Sequence, residues 1–282
     1  MVTFNKLKLL YYFKNKDEYI FNIVKNFAMF KSDDTLGRYI EVSSEASKKQ
    51  DKKTFRVALT CMKKNQLLKL IKVGKLGKRE EIKNYLFNNS KDDCFGLGLA
   101  KYENNIEDNR FKIYSYYYRS TKEIDIEDNL KRNSQLANIN FLSIEKDIKE
   151  FKKIKMSSVD FYSNGEKAIK VYYGPFLTNN FFSQFNHLFN KSTLAAYRQL
   201  FLQRKLPDIF LLCIRYMQNK KSIRTDFWCA TRNIKKYIHN FDYSSFAYQL
   251  YEELKRFRNL ELTFICIDLD KRNRTQYYFA LS

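Results

Sequence analysis

Two prolines and seven glycines in 282 residues leave little room for linkers, fibrous repeats or a low-complexity tail, so most of the chain is expected to be ordered. Two histidines, far apart in sequence, and five cysteines without a Cys-x-x-Cys pair argue against a structural zinc site. The cysteines, Cys61, Cys94, Cys213, Cys229 and Cys266, mostly sit in or beside apolar runs and read as reduced, buried thiols of a cytoplasmic protein. No stretch approaches the roughly 18 apolar residues that a membrane-spanning helix needs. The opening MVTFNKLKLLYYFKNKDEYIF is cut by charges before a signal-peptide core forms and reads as an amphipathic helix, which makes a soluble, intracellular protein the expectation.

What is abundant is charge of one sign. A formal net charge of +21 invites a nucleic-acid reading, because non-specific affinity consists of Lys and Arg neutralising phosphates. Here the basic residues are spread along the chain and form no single tail or stripe, the pattern of a solvated cationic surface. A small anionic substrate is compatible with that distribution.

The chain also repeats itself. Five times two strand-like runs flank a polar turn and a helical stretch follows: LGRYIEVSS with KTFRVALT, CFGLGLAKY with NRFKIYSYY, SVDFYS with KAIKVYYG, DIFLLCIRYM with SIRTDFWCAT, and LELTFICIDL with RTQYYFALS. The pairs start roughly fifty residues apart, and self-similarity at such a period decides a fold before local propensities do. Strands joined by short turns are antiparallel neighbours. Helical spacing lies between them, at 5–31, 63–72, 79–89, 143–153, 179–203 and 243–257, with Phe182, Phe185, Leu188 and Phe189 on one core-facing stripe.

Side chains alternate across a strand, so each run splits into two faces. Phe55, Val57 and Leu59 oppose Thr54, Arg56, Ala58 and Thr60; Ile40 and Val42 oppose Tyr39, Glu41 and Ser43. Phe111 and Ile113 oppose Lys112, Tyr114 and Tyr116, and Ile169 and Val171 oppose Lys170 and Tyr172. Helices covering the aliphatic faces would bring the Arg, Lys, Tyr and Glu faces together on the other side. Closing the ten strands into a barrel removes the edges and makes that side a polar, aromatic lumen with room for a ligand.

FGLGLAKYENNIEDNRFKIYSYY, SVDFYSNGEKAIKVYYGPF and PDIFLLCIRYMQNKKSIRTDFW resemble the second, third and fourth hairpins of the ABBA-type aromatic prenyltransferases, and within them the cyanobactin prenyltransferases, which modify ribosomal peptides. The resemblance implies an α/β fold, a ten-stranded antiparallel barrel of five α-β-β-α units ringed by helices, formed by residues 1–282 as a single domain. The Lys- and Asn-rich composition and the short end after RTQYYFALS depart from the family, so substrate choice is not carried over; the short end leans toward a peptide acceptor over a lidded small-molecule pocket.

Ionising an isoprenyl diphosphate builds charge on the leaving group and exposes an allylic cation to water, so the site needs fixed cations, hydroxyl donors and aromatic walls. By the resemblance, Arg56, Lys112, Lys170 and Arg224 would bind diphosphate and Tyr114, Tyr172 and Tyr278 would donate to it. Tyr277 would take the place of Tyr278 if the strand shifted by one residue. Glu41 is expected as the general base. Tyr39, Tyr116, Asp160, Tyr162, Asp226 and Trp228 would form the prenyl and acceptor pocket, with Asp160, Asp226 and Asp268 as secondary carboxylates that could orient a cationic acceptor. No Asp-rich metal motif is present; magnesium is expected to ride on the diphosphate, with no protein-borne metal site. The implied activity is dimethylallyl transfer to a side chain of a cyclic ribosomal peptide, by a monomer that binds neither nucleic acid nor membrane. The rivals are a small-molecule aromatic prenyltransferase on the same barrel and a non-enzymatic polyanion-binding protein.

Overall fold

A computed structural model describes residues 4–30, 40–46, 54–76, 82–84, 86, 94–102, 110–117, 121–203, 205–218, 220–237, 246–268 and 274–281. The alternating runs all form strands: β1 (Ile40–Ala46), β2 (Thr54–Met62), β3 (Cys94–Tyr102), β4 (Arg110–Tyr116), β5 (Ile154–Tyr162), β6 (Lys167–Leu177), β7 (Ile209–Met217), β8 (Lys220–Thr231), β9 (Leu260–Asp268) and β10 (Arg274–Leu281). Each pairs antiparallel with the next, and β10 returns to β1 with Ile40 opposite Leu281 and Ala46 opposite Thr275, so the sheet is a closed barrel. The β5–β6 turn is the Asn164-Gly165 one, with Gly165 at φ +87°, where a side chain would be strained.

The two faces separate as the alternation dictates. Ile40, Val42, Val57, Leu59, Ile113, Ile169 and Val171 point outward and join Ile20, Ile23, Leu67 and Leu70 of the helices in the large hydrophobic core, which therefore lies between sheet and jacket. Tyr277 is buried in that outer core and its neighbour Tyr278 lines the lumen, so Tyr278 has the inward register.

The jacket differs from expectation in three places. The stretch 5–31 is two helices, Phe4–Lys16 and Glu18–Ala28, because Asp17 turns extended and its carboxylate accepts the Ile20 N–H at 2.9 Å, capping the second. The stretch 179–203 breaks into Phe181–Phe185 and Lys191–Gln203, with Asn190 Oδ1 accepting the Thr193 N–H at 2.8 Å. There Phe181, Phe185 and Phe189 are buried, while Phe182 and Leu188 are only partly so.

The third difference is a helix whose buried face mixes polar with apolar residues, Glu123–Ala137. Its inward face carries Asn129, Leu130, Asn133, Ser134 and Ala137, and it docks by hydrogen bonds: Tyr117 Oη donates to Asn129 Oδ1 at 2.6 Å, and Asn133 Nδ2 donates to Ser157 Oγ of β5 at 3.2 Å. Such pairs hold a buried polar face, here with Asn133 Oδ1 alone left without a partner among these groups, and hydrophobic periodicity cannot reveal it. Lys64–Val73, Phe141–Phe151 and Phe246–Leu254 form where 63–72, 143–153 and 243–257 predict helix; 79–89 lies mostly outside the described residues, with 82–84 and 86 helical. Among the described residues no helix is long and apolar enough to cross a membrane.

Candidate active site

The lumen has two halves, and strand register builds the first. Lys112 of β4 lies directly opposite Asp160 of β5, Ser158 opposite Lys170 of β6, and Lys170 opposite Arg215 of β7. The Asp160 carboxylate, wholly buried, meets Lys170 Nζ at 2.8 Å, Lys112 Nζ at 3.6 Å and Arg110 Nε at 3.9 Å. Burial alone would raise the Asp160 carboxyl; Lys112, Lys170 and Arg110 outweigh it and hold it far below the ordinary carboxylate range. Burial pushes both lysines down, and Asp160 opposes that fall.

Around this knot stand further donors. Arg56 Nη1 donates to Gln276 Oε1 at 2.7 Å, and Tyr278 Oη donates to the same oxygen at 3.1 Å. Arg110 and Arg215 both donate to Tyr162 Oη, the first at 2.8 Å, and each guanidinium lies 5.3 Å from the Tyr162 ring. Arg56, Lys112, Tyr114, Glu41 and Tyr278 surround one small recess. Burial raises the phenols of Tyr114, Tyr172 and Tyr278, so they remain neutral hydroxyl donors.

The second half is a cavity of about 380 Å³ lined by Tyr114, Tyr116, Met156, Tyr172, Leu211 and Trp228 among others. Trp228 stacks on Phe264 with ring centres 6.4 Å apart, and Tyr172, Leu211 and Cys213 make a small apolar cluster backed by Met156 and Phe264. Three carboxylates line this space, Glu41, Asp226 and, at the mouth, Glu261. Glu41 accepts from Thr263 Oγ1 at 2.8 Å; burial pushes its carboxyl up to about 7, the Thr263 hydrogen bond opposes the rise and the charge of Asp226 adds to it. Asp226 Oδ2 accepts from Arg224 Nη2 at 2.5 Å, while Oδ1 is buried without a hydrogen-bond partner.

Of the residues expected at the diphosphate, Arg56 and Lys112 share the recess with Tyr114 and Tyr278, and Lys170 joins them through Asp160. Arg224 and Tyr172 line the wider cavity, where Tyr116, Asp226, Trp228 and Glu41 also lie. Two expectations are corrected. Asp160 does not line the acceptor cavity, because its β5 position places it opposite Lys112 in the cation cluster. Tyr162, two residues further along the same face, lies at the end of β5 toward the Asn164-Gly165 turn, only partly buried and under Arg110 and Arg215. Asp268, at the end of β9, is not among the cavity-lining residues, and Tyr39 lies outside the described residues.

Sequence reading missed Arg110, Arg215 and Gln276, although each shares the inward parity of Lys112, Cys213 and Tyr278 on its strand. It also missed Phe264, which shares the inward parity of Cys266, and Thr263, which no parity rule yields. The β9–β10 pairing slips between Tyr278 and Phe279, leaving Thr263 as the extra residue, so Thr263 and Phe264 both line the cavity.

The described residues contain no group of three or more His, Cys, Asp or Glu side chains able to hold a metal ion, so a protein-borne magnesium cage does not fit the donor set. No family model and no curated sequence matches the chain. Solved structures do. A 6-dimethylallyl tryptophan synthase aligns with a TM-score of 0.59 at 10% identity, over 89% of this chain and 82% of that one. The 6-dimethylallyltryptophan synthase of Micromonospora olivasterospora, in complex with DMASPP and Trp, aligns with a TM-score of 0.56 at 11% identity over 86% and 81%. AnaPT from Neosartorya fischeri aligns with a TM-score of 0.50 at 10% identity over 89% and 79%. The chain thus has the closed ten-stranded, helix-jacketed barrel fold of these dimethylallyltryptophan synthases.

Proposed function

We propose that this chain is a prenyltransferase that moves a dimethylallyl group from its diphosphate to a nucleophilic side chain of a peptide. The observation that carries the reading is the division of one lumen into a buried cation cluster and an apolar, aromatic cavity containing a single carboxyl poised near neutrality. In this reading diphosphate binds where Arg56, Lys112, Lys170 and Arg224 outnumber the carboxylates, and buried phenols of Tyr114 and Tyr278 donate to its oxygens. The allylic carbon–oxygen bond breaks toward that charge. Trp228, Phe264, Tyr116 and Met156 shield the carbocation from water, with the aromatic faces each contributing about 0.5 to 2 kcal/mol. The acceptor attacks the allylic carbon, and its proton passes to the ionised Glu41.

Two features bear on the acceptor. A cavity of 380 Å³ is at the small end for ligand sites, enough for a short isoprenoid with one side chain but not for a whole peptide, which would have to project through the mouth beside Lys155, Glu261 and Trp228. Trp228 is 38% exposed there, an apolar surface available to such an acceptor. A free indole is the second reading, favoured by the Micromonospora enzyme, whose structure holds Trp with DMASPP on the same fold. A polyanion-binding protein is the poorer fit: Arg56 and Lys112 are 7% and 6% exposed, out of reach of a nucleic-acid backbone.

The test is mass spectrometry of the purified protein incubated with dimethylallyl diphosphate and a panel of cyclic peptides bearing Tyr, Trp, Ser, Thr, His or Arg, beside free tryptophan. A gain of one C5 unit on a peptide supports the proposal, and a gain on tryptophan alone supports the second reading. No gain on any acceptor, with geranyl diphosphate included as a C10 donor, would overturn both.

A further inference from the structure

Asp160 is an oddity in a pocket meant for an anion: a wholly buried carboxylate at the centre of the cations that are to receive diphosphate. A negative charge there repels the ligand, so its presence needs a reason. Strand register supplies the geometry, since Lys112 is directly across from it and Arg110 and Lys170 are diagonal to it, with Ser158 Oγ donating to Oδ1 at 3.2 Å. We propose that Asp160 is a positioning residue for the donor site, holding Lys112 and Lys170 charged and aimed into the lumen before diphosphate arrives. The proposal rests on the reading of this cluster as the diphosphate subsite.

The alternative arrangement shows what the carboxylate does. Without it, Lys112 and Lys170 would share a buried space with Arg110 on β4, Arg215 on β7, Arg224 on β8 and Arg56 on β2. The remaining inward groups are neutral or already committed: Tyr114 on β4, Tyr162 on β5, Tyr172 on β6, Cys213 on β7, Cys266 on β9, Gln276 and Tyr278 on β10, Asp226, which pairs with Arg224, and Glu41 on β1, which accepts from Thr263 and whose carboxyl burial pushes up to about 7. The inward positions of β3 opposite β4 are Gly96, Gly98 and Ala100, which bring no charge. Arginine keeps its proton under such crowding and lysine does not. Burial and the neighbouring cations already pull both lysines down, and Asp160 is the first group that opposes this. Removing the carboxylate would therefore remove a lysine's charge as well, gaining no attraction for diphosphate and losing the alignment. Diphosphate would then have to recruit a proton in order to bind.

That exchange has a readout that a purely structural role would not move: protons taken up on binding. Calorimetry of inorganic pyrophosphate in buffers of different ionisation enthalpy, at pH 7, 8 and 9 with EDTA present, compares wild type with Asp160→Asn and Asp160→Glu. Wild type is expected to bind pyrophosphate with no net proton uptake at pH 8. Asp160→Asn should take up about one proton more than wild type, and its affinity relative to wild type should fall about tenfold per pH unit. Asp160→Glu should restore the wild-type proton count. Equal proton counts and parallel pH profiles for wild type and Asp160→Asn would overturn the proposal. Should Asp160→Asn not fold, the count is taken on Glu41→Gln, which removes the other titratable carboxyl of the recess: net proton uptake by that variant at pH 8 would overturn the proposal, because its lysines would then be uncharged, and the absence of uptake would support it. Failure of wild type to bind pyrophosphate at all would instead overturn the diphosphate reading beneath it.

Discussion

The two halves of the lumen are built on opposite terms. In the cation cluster nearly every contact is specified by cross-strand register: Lys112 opposite Asp160, Ser158 opposite Lys170, Lys170 opposite Arg215. In the cavity above it the walls are aromatic and apolar, Asp226 keeps one oxygen unpaired, and several lining residues owe their direction to irregularities in the ladder. In the proposed reading the first half holds one invariant group, a diphosphate. The second can change its occupant by changing an apolar side chain, because Trp228, Leu211 and Met156 are held there by packing and not by a charged partner.

The largest effect that separates the halves is expected from Glu41→Gln. It should lower kcat by about 10²- to 10⁴-fold without raising the donor KM, since Glu41 is assigned to proton removal and loss of its charge beside the recess removes a repulsion from the diphosphate. A pH profile sharpens this. Glu41 is raised to about 7, so below that pH it keeps its own proton and cannot accept another. Wild-type kcat should fall with acid below about pH 7 and level off above it, and Glu41→Gln should lose that limb.

Next comes Arg56→Ala, which removes a guanidinium from the recess and leaves Gln276 without its 2.7 Å donor. We expect dimethylallyl diphosphate KM to rise roughly 10- to 100-fold with a smaller change in kcat, in keeping with about 1.5 to 3 kcal/mol for a charged hydrogen bond. An equal loss in kcat and none in KM would erase the division between the halves.

A smaller effect on rate, visible as a change of product, is expected from Trp228→Ala. Removing the ring that stacks on Phe264 should let the cavity accept geranyl diphosphate, read as the C10 to C5 product ratio in a mixed-donor incubation. Smallest should be Gly98→Ala, whose new Cβ would lie 3.0 Å from the Tyr114 ring. A ring shift of a few tenths of an ångström would relieve it, so about 1 kcal/mol of stability and a modest rise in donor KM are expected, measured by denaturant melts and kinetics.

The same contrast explains what sequence could and could not tell. The hairpins, the inward direction of Arg56, Lys112, Lys170 and Tyr278, and the outward aliphatic core follow from period-two alternation, a property of single strands. Asp160 was readable as inward but not as a partner of Lys112, because pairing across strands depends on register, which no single strand carries. Thr263 and Lys155 sit at slips in the ladder, where alternation stops being a guide. The helix Glu123–Ala137 was illegible for another reason: it is held by Asn129, Asn133 and Ser157, whose value lies in exact partnering and not in hydrophobicity.

Barrel closure bears on the charge alignment itself. In an open sheet β5 could slide by two residues against β4, keeping its inward face inward and bringing Ser158 or Tyr162 opposite Lys112. Here β10 is sewn to β1 along seven residue pairs, so a slide at one seam must be repaid by an opposite slide at another. The sum of offsets around the ring is fixed, like the pitch of a screw thread, and the meeting of Lys112 with Asp160 is thereby guarded by strands that touch neither residue.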